Sequence, residues 1–394
     1  MKVCYTTHLP NLTGASQSLL DLLSGIKNMD VEPVVLLGKH GPLEEELKKR
    51  GIRFHIIPYV HDMKSKSRVK NLLKPMINAL AVKRIRRFLI KEHVELVHNN
   101  SFLSGVGMEA ALKAGIPYIC HNREIIQEHG LDLYNNAKQL FLLRNAAAAI
   151  EISDVVYKKY SRLVPEAHFV VLPDGIEINR YFQERDSIFE REKLELLLAG
   201  RIEPGKGQLE AVKAMEILEK QSGHSFRLTI IGGVGDVDYD RKLRQYVREK
   251  KTRSVSFLPF ADLREIRGKT DIALTCSRAE ALGRVTVEGM LAGCLVIGAD
   301  CGATPELITN GETGLLYCGG DAVALAATIR FAAEHPTEMA QIVQRGQKYA
   351  KEHFDLASYA SDLYGLYREV LTKKRSIEKE VRTEEGIHTC RKKY

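Results

Sequence analysis

Several absences narrow the classes of protein to which this sequence can belong. No apolar run approaches the ~20 residues that a transmembrane helix needs. The seven cysteines form no CxxC pair and no Cys/His cluster, which argues against a disulfide framework or a zinc site. Such cysteines are typical of reduced thiols in a cytoplasm. Tryptophan is absent, which excludes no class, and the start from Met1 to Thr7 is typical of a strand rather than a cleaved signal.

Length and composition indicate a soluble globular chain with two domains. The chain has 394 residues, of which 44% are hydrophobic and 27% are charged, and these fractions are ordinary for a soluble protein. Because this length exceeds what a single hydrophobic core usually holds, we expect two domains.

Acidic residues are missing from the segment between Met63 and Lys91. The charge of this segment alone exceeds the net charge of the whole chain, which is +8. Its ten basic residues are Lys64, Lys66, Arg68, Lys70, Lys74, Lys83, Arg84, Arg86, Arg87 and Lys91. Apolar residues recur there at helical spacing, namely Met76, Ile77, Leu80, Ala81, Ile85, Phe88 and Leu89. The pattern predicts either a peripheral contact with an anionic bilayer, at ~1 kcal/mol for each cation, or a core helix with a solvated basic face. Nucleic-acid binding is not indicated, because no binding motif or interleaved aromatic accompanies the charge.

Strand-like and helix-like stretches alternate along the chain, and the pattern restarts after Tyr181. Seven strand candidates precede this point and five follow it, most of them apolar runs followed by a helix. This order is typical of an α/β fold with parallel, doubly wound sheets. One helix is expected to begin at Pro75, because proline suits a first helical turn. The polar stretch from Asn179 to Lys193 is typical of a linker, and the charged tail from Lys373 favours disorder.

Two carboxylates lie close together in the second half, where seven residues separate Glu280 from Glu288. A strand candidate ending at Thr275 precedes them, Gly283 allows a sharp turn, and a helix is expected from Arg284. The first free amides of that helix would form a weakly positive pocket between the carboxylates. Amides attract anions and carboxylates attract hydroxyls, so the pocket suits a ligand that joins phosphates to sugars.

This segment resembles the signature of family 4 of the retaining glycosyltransferases, the GT-B-fold glycosyl transferases group 1. The resemblance implies that Glu280 binds hydroxyls of the donor sugar and that Glu288 binds the ribose of the nucleotide. The family commonly has Gly-Phe-Gly after the first Glu, whereas this chain keeps the last glycine and replaces the aromatic with leucine. Substrate contacts are also expected from the turn and the helix start, which comprise Leu282, Gly283, Arg284 and Val285.

The same resemblance implies the architecture of the chain. In the GT-B fold, two Rossmann-like domains face each other across a cleft, and the last helix crosses back to the first domain. We therefore expect an acceptor-side domain at 1–177 and a nucleotide-sugar donor domain at 178–353. The helix and tail at 354–394 should return to the first domain.

Two cations follow the first strand of the second half and precede a helix. Arg201 and Lys206 lie five residues apart in a glycine-rich loop, and charge-assisted bonds from such cations suit a pyrophosphate. In the resembled family, the Arg and Lys of this loop grip the donor diphosphate, so we assign this role to both residues. The alternative for an isolated pair of this kind is a basic surface loop.

Other candidate residues lie at further strand ends. Gly232 and Gly233 are expected to contact the nucleotide through their backbone, and Gly14 would let the backbone of the first domain approach a ligand. His121 ends a strand at a place where family members often have a histidine beside the donor sugar, and the alternative is a packed or solvated imidazole.

The pair Asp236 and Asp238 has the spacing of a metal-binding D-x-D motif, but aspartates also cap helices. We favour capping of a helix near Tyr239 and expect no metal. Gly302 and Ala303 stand where the family usually has two glycines.

Together with these patterns, the resemblance implies a retaining glycosyltransferase, which we expect to be metal-independent and to need no cofactor, because the nucleotide sugar is a substrate. The expected partners are a UDP-linked rather than GDP-linked sugar donor and a hydroxyl of a glycan or lipid-linked acceptor in cell-surface polysaccharide synthesis. We expect a cytoplasmic location with peripheral binding to the inner face of the membrane through residues 63–91, and no nucleic acid. The alternatives are a nucleotide-sugar epimerase of the same fold and a non-catalytic membrane-bound adaptor.

Overall fold

A computed structural model divides the chain into two compact units. The described residues are 1–65, 67–126, 132–185, 189, 191–221, 225–259 and 262–391, with side chains up to 376. The first unit comprises 1–152, 156–175 and 356–394, and the second comprises 153–155 and 176–355. Apart from residues 153–155, the chain passes from one unit to the other at 175/176 and at 355/356. The boundaries predicted from the sequence were 177/178 and 353/354.

The part of the chain before 176 alternates strands with helices. The strands are β1 Lys2–Thr6, β2 Glu32–Leu37, β3 Arg53–Ile56, β4 Leu96–Asn99, β5 Tyr118–Asn122, β6 Ala148–Glu151 and β7 Phe169–Val171. The helices are α1 Gly14–Gly25, α2 Leu43–Lys49, α3 Arg68–Lys91, α4 Val106–Ala114, α5 Asn136–Arg144 and α6 Asp154–Leu163, with a 3-10 turn at Ile26–Asn28. The strands form one parallel sheet in the order β3-β2-β1-β4-β5-β6-β7, which confirms the doubly wound prediction for the first half.

The second unit repeats this plan. Its strands are β8 Lys193–Ala199, β9 Ser225–Ile231, β10 Val255–Leu258, β11 Ile272–Thr275, β12 Leu295–Ala299 and β13 Leu315–Tyr317. Its helices are α7 Ile178–Tyr181, α8 Gln208–Glu219, α9 Val237–Lys250, α10 Leu263–Gly268, α11 Arg284–Leu291, α12 Thr304–Leu307, α13 Ala322–Glu334 and α14 Pro336–His353. The sheet is parallel, in the order β10-β9-β8-β11-β12-β13, and only the three-residue β13 was missing from the predicted strands.

The last helix, α15 Leu356–Arg391, belongs to the first unit, as the sequence predicted. Its buried side chains join the core beneath the first sheet, and they include Tyr359, Ala360, Leu363 and Tyr367. The helix also lies against α1, where Gly25 leaves no room for a side chain because a Cβ there would lie 2.9 Å from that of Ala360. No helix in the described part of the chain is long and apolar enough to cross a bilayer.

The expected start of a helix at Pro75 is wrong. Helix α3 begins at Arg68, where the Ser67 hydroxyl accepts a hydrogen bond from the amide of Lys70, so Pro75 lies within the helix. The cap decides the start, since a serine that satisfies a free amide at the first turn stabilises a helix terminus.

Two predictions for polar segments are also wrong. The stretch from Asn179 to Lys193 is not a free linker, because Gln183 and Arg185 donate hydrogen bonds to backbone carbonyls of Arg264 and Gly293 in the second unit. Residues 186–188 and 190 of that stretch lie outside the described residues. The tail is helical rather than disordered through Arg391, and within its described part Lys373 pairs with a glutamate one turn earlier.

Two carboxyls are buried near the carboxyl ends of strands in the first unit. Burial raises the pKa of Glu151 to about 8 and that of Glu124 to about 7. Each has only one oxygen held by a side chain: Asn122 donates to Glu151 and Ser101 donates to Glu124. Both carboxyls are therefore protonated in the folded chain at pH values where they ionise in the unfolded chain.

We predict that Leu363→Ala lowers the free energy of unfolding of the first unit by about 2–5 kcal/mol, because it opens a cavity in the core. Urea denaturation followed by circular dichroism measures the change. The matched control is Leu72→Ala, at a leucine that is 77% exposed, and it should leave the transition in place. Equal effects of the two substitutions would contradict the assignment of α15 to this core.

We also predict that Glu151→Gln gains stability relative to the natural chain as the pH rises from 5 to 8.5. The unfolded carboxyl ionises near pH ~4.3, whereas the folded one stays protonated to about pH 8, so its stabilising contribution is lost as the pH rises between these values. The free energies of unfolding of the two proteins, obtained from urea denaturation, should separate by on the order of 3 kcal/mol across this range. Glu45→Gln, at an exposed glutamate of the same unit, should show no such divergence.

Candidate functional site

The residues that the sequence singled out in the second unit lie where neighbouring parallel strands end. The loops at 200–207, 232–236, 276–283 and 300–303 follow β8, β9, β11 and β12, which are adjacent in the sheet. The strand order reverses between β8 and β11. In open α/β sheets, ligands bind beside the carboxyl ends of the strands at this switch point.

Glycines allow these loops to contact each other through their backbones. Gly207 has a φ of +72°, and a Cβ on it would lie 2.1 Å from the carbonyl oxygen of Cys276. A Cβ on Gly232 would lie 1.9 Å from the carbonyl oxygen of Gly200. Larger residues would force the loops apart, so the packing of the protein itself requires both glycines.

Lys206 and Glu280 are brought together by this packing. The Lys206 ammonium donates a hydrogen bond of 2.6 Å to Oε1 of Glu280, across 74 positions of sequence. Both side chains are partly accessible, at 29% and 16% of their surface. The pair therefore lies at the switch point and within reach of a ligand.

The loop after β12 holds the backbone of Glu280 in place. Gly302 has a φ of +58°, and a Cβ on it would lie 2.7 Å from both the nitrogen and the oxygen of Glu280. Ala303 is fully buried and donates its amide to the carbonyl of Glu280 at 2.9 Å. The glycine is thus required only at the first of these two positions, which explains how the chain accommodates alanine at the second.

Glu288 lies on α11 and is bound by two arginines. Arg267 on α10 donates a hydrogen bond of 2.6 Å to Oε2 of Glu288, and Arg284 lies 3.5 Å from Oε1. The Arg267 side chain is only 2% exposed, and among the described residues its Nη1 has no hydrogen-bond partner. Sequence reasoning missed Arg267, because nothing in its local sequence marks it as the partner of a carboxylate 21 positions later.

Two helices at this edge begin after a glycine, so no N-cap side chain covers their first amides, although in α8 the amide of Leu209 donates to the hydroxyl of Tyr239 at 3.2 Å. Gly207 precedes α8, Gly283 precedes α11 with a φ of +92°, and neither start carries a side-chain cap. The predicted turn and the start at Arg284 are confirmed. Leu282 is buried and Val285 is half-buried, so this turn offers a ligand its amides more than its side chains.

Arg201 does not join the contact between Lys206 and Glu280. Its guanidinium lies 2.8 Å from a carboxylate oxygen of Glu203, and its side chain is 62% exposed. An exposed pair of this kind contributes little to stability, so the guanidinium can exchange its partner at small cost. Each of the two cations predicted to bind the diphosphate therefore pairs with a different glutamate: Arg201 with Glu203, and Lys206 with Glu280.

In the first unit, His121 is fully buried near the end of β5. Its Nδ1 lies 3.2 Å from Nε2 of His98, whose own Nδ1 lies 2.7 Å from the hydroxyl of Tyr367 on α15. Burial lowers the pKa of His121 well below its ordinary value, as does the nearby charge of Arg123. The imidazole is therefore neutral, and its orientation is fixed by this row of buried polar groups.

Asp174 and Arg123 form a buried ion pair next to His121. Its carboxylate accepts hydrogen bonds of 2.8 Å and 2.7 Å from Nε and Nη2 of Arg123, and both residues are buried. Asp174 Oδ1 also lies 3.6 Å from Nε2 of His121. The chain therefore places a satisfied ion pair beside the imidazole that the sequence singled out.

The remaining predicted positions have simple surroundings. Gly14 is exposed at the start of α1, and a Cβ added to Gly14 or to Gly233 would meet no described atom within 4 Å, so both leave space for a ligand. The capping role of Asp236 is confirmed, because it accepts the amide of Tyr239 at 2.9 Å, while Asp238 pairs with Arg241. Across the described residues, no group of three or more His, Cys, Asp or Glu side chains is arranged to hold a metal ion.

Two family models match successive halves of the chain. Residues 12–180 match Glycosyltransferase Family 4, and residues 180–349 match Glycosyl transferases group 1. The loops described above for the second unit all fall within the second match.

Curated relatives are similar over part of their length. The phosphatidylinositol N-acetylglucosaminyltransferase GPI3 subunit of Saccharomyces cerevisiae is 24% identical over 58% of this chain and 53% of its own. The D-inositol 3-phosphate glycosyltransferase of Corynebacterium efficiens is 27% identical over 56% of this chain and 55% of its own. The chain thus spans about half the length of the curated relatives that it matches.

Solved structures share the fold over nearly the whole chain. Anabaena HepE in complex with UDP and glucose superposes with a TM-score of 0.80 at 22% identity, covering 93% of this chain and 99% of that one. Sucrose-phosphate synthase from Thermosynechococcus elongatus superposes with a TM-score of 0.76 at 18% identity, covering 95% and 100%. With two parallel-sheet units, these neighbours and both family matches, the chain belongs to the family 4, group 1 glycosyltransferases and has the GT-B fold.

Proposed function

We propose that this chain is a retaining glycosyltransferase that moves a sugar from a nucleoside diphosphate to a hydroxyl of a glycan or lipid-linked acceptor. The observation that carries the proposal is the 2.6 Å contact between Lys206 and Glu280 at the switch point, beside two helix starts without side-chain caps. Cations and amides suit the diphosphate, and a carboxylate suits sugar hydroxyls. A single ligand that carries both groups would engage the whole arrangement.

Binding of the donor would exchange the partners of Lys206. Its ammonium donates to Glu280, and a diphosphate would offer that ammonium a more highly charged acceptor. Glu280 would then be free to accept hydrogen bonds from the donor sugar. Arg201 would leave its exposed pair with Glu203 in the same way and contact the diphosphate.

Negative charge develops on the departing nucleotide during transfer of the sugar. Lys206, Arg201 and the amides that begin α8 and α11 would stabilise that negative charge, so the proposed reaction needs no metal and no cofactor. Gly232 and Gly233 would approach the nucleotide through their backbone, and the acceptor would attack from the face that the nucleotide leaves.

Glu288 is proposed to bind the ribose. Arg267 occupies its Oε2, which orients the carboxylate and leaves Oε1 to accept a ribose hydroxyl in competition with the longer contact to Arg284. His121 is proposed to orient the donor sugar as a neutral imidazole. Because burial lowers its pKa, it would form hydrogen bonds as a neutral imidazole and not as a charged imidazolium.

The choice of donor and acceptor rests on similar proteins. HepE was solved with UDP and glucose, and the names of the relatives describe transfer to phosphatidylinositol and to inositol phosphate. We therefore propose a UDP-sugar as donor and a role in polysaccharide or glycoconjugate synthesis. We place the enzyme in the cytoplasm, bound peripherally to the inner face of the membrane through residues 63–91.

Glu280→Gln is predicted to reduce sugar transfer by at least about a hundredfold, because the amide cannot accept hydrogen bonds as a carboxylate does. Release of UDP from UDP-sugars in the presence of candidate acceptors measures the rate. Glu216→Gln is the matched control, since Glu216 also pairs with a lysine at 2.8 Å and is 17% exposed. A retained rate in Glu280→Gln, with the fold intact by circular dichroism, would contradict the role of Glu280.

We predict that UDP raises the melting temperature of the chain more than GDP or ADP does. Ligand at 100 times its Kd stabilises the folded state by about 2.7 kcal/mol. Lys206→Met should abolish most of this shift, because it keeps the length of the side chain and removes the charge. If none of the nucleotides shifts the transition, the donor site does not exist as proposed.

The epimerase alternative is tested by incubating the chain with the sugar donor alone. An epimerase would form a new sugar without any acceptor, and NMR would detect it.

A further inference from the structure

Helix α3 carries an apolar stripe that the core does not cover. Six of its side chains recur at intervals of three and four residues, which places them on one side of the helix. They are between 40% and 77% exposed, and they are Val69, Leu72, Leu73, Met76, Ile77 and Leu80. The stripe lies in the first half of the helix. Its length from Val69 to Leu80 is roughly 16 Å, because an α-helix rises about 1.5 Å for each residue.

The buried face of α3 lies on the other side. It comprises Lys74, Asn78, Ala81, Val82, Ile85 and Leu89, and α4 packs closely with this helix. The apolar face expected from the sequence is therefore divided: Ala81, Ile85 and Leu89 belong to the core, whereas Met76, Ile77 and Leu80 are exposed. Core packing does not explain the exposed stripe.

Cations continue the same outward side along the second half of α3. Lys83, Arg84, Arg87 and Lys91 follow Leu80 by three, four, seven and eleven residues, and all four are exposed. No acidic residue occurs between Met63 and Lys91. The outward side is therefore apolar first and cationic afterwards.

Buried polar contacts hold α3 in this orientation. The Asn78 side chain accepts the amide of Val60 at 3.0 Å and donates to its carbonyl at 2.9 Å, and Lys74 donates to the carbonyl of Met63. Arg86 donates to the carbonyl of Lys113 at 2.9 Å. Because the helix is already anchored, a partner would not have to order it.

We propose that the outward side of α3 is an interfacial surface for an anionic bilayer. Its six apolar side chains enter the boundary between headgroups and acyl chains, while Lys83, Arg84, Arg87 and Lys91 contact lipid phosphates. An amphipathic helix with basic residues binds membranes in this manner. A second copy of the chain is disfavoured as the partner, because it would present the same positive charge. This inference deepens the proposed function by naming the surface that would meet a lipid-linked acceptor.

The absence of tryptophan gives a direct test of insertion. Leu72→Trp introduces the only indole of the chain, so its fluorescence reports this position alone. With vesicles of phosphatidylserine and phosphatidylcholine, we expect the emission to shift to shorter wavelength and brominated acyl chains to quench it. Val323→Trp, at a position 65% exposed on α13, is the matched control and should show neither change. Equal quenching at both positions, or none at Leu72→Trp, would overturn the proposal.

Charge and insertion are separated by two further variants. Replacing Lys83, Arg84 and Arg87 together with Gln should weaken partition into anionic vesicles by about tenfold or more, and Arg86 is kept because it bonds to the backbone. Met76→Asp should abolish quenching of the indole in the Leu72→Trp background. Unchanged partition of the charge variant, equal binding to vesicles of phosphatidylcholine alone, or a blue shift that depends on protein concentration without vesicles would each contradict the proposal.

The melting shift with UDP shows whether a negative result concerns the membrane surface or the proposed transferase function. Both surface variants should retain the melting shift with UDP, since none of their substitutions lies in the second unit. Loss of vesicle binding with the UDP shift retained supports the surface. Absence of vesicle binding by the natural chain, with the UDP shift present, overturns the surface alone and leaves the transferase proposal in place.

Discussion

The proposed donor site depends on backbones that approach more closely than any side chain would permit. Gly207 lies against the carbonyl of Cys276, and Gly302 lies against the backbone of Glu280. These two contacts join the loops after β8, β11 and β12 and thereby place Lys206 beside Glu280. Because these contacts lie within the protein itself, a donor would meet side chains that the fold has already positioned.

The charged groups of this site each have a protein partner. Lys206 pairs with Glu280, Glu288 with Arg267, and Arg201 with Glu203, and these pairs are respectively partly accessible, buried and exposed. A partly buried charge without a partner would be costly, so this pairing stabilises the folded arrangement. Under the proposed function, donor binding would exchange these partners and would favour a ligand that offers an anion to the cations and hydroxyls to the acids.

In the first unit, some polar groups form buried networks. His121, His98 and Tyr367 form a buried row that links the end of β5 to α15. By contrast, α3 turns Asn78 and Lys74 inward and leaves its apolar stripe outside. A helix that buries polar residues and exposes apolar ones is positioned for a partner other than its own core.

The sequence by itself determined the two parallel sheets, because continuous apolar runs followed by helices specify buried strands, and it identified the loop glycines and the acids and cations beside them. It left the partners of those charges open. Tertiary contacts between distant segments bring Arg267 to Glu288 and Lys206 to Glu280. The local periodicity of a sequence carries no information about such contacts. For α3, helical spacing marked apolar positions but could not divide them, since only tertiary packing, including that against α4, decides that Ile85 is buried and Met76 is exposed.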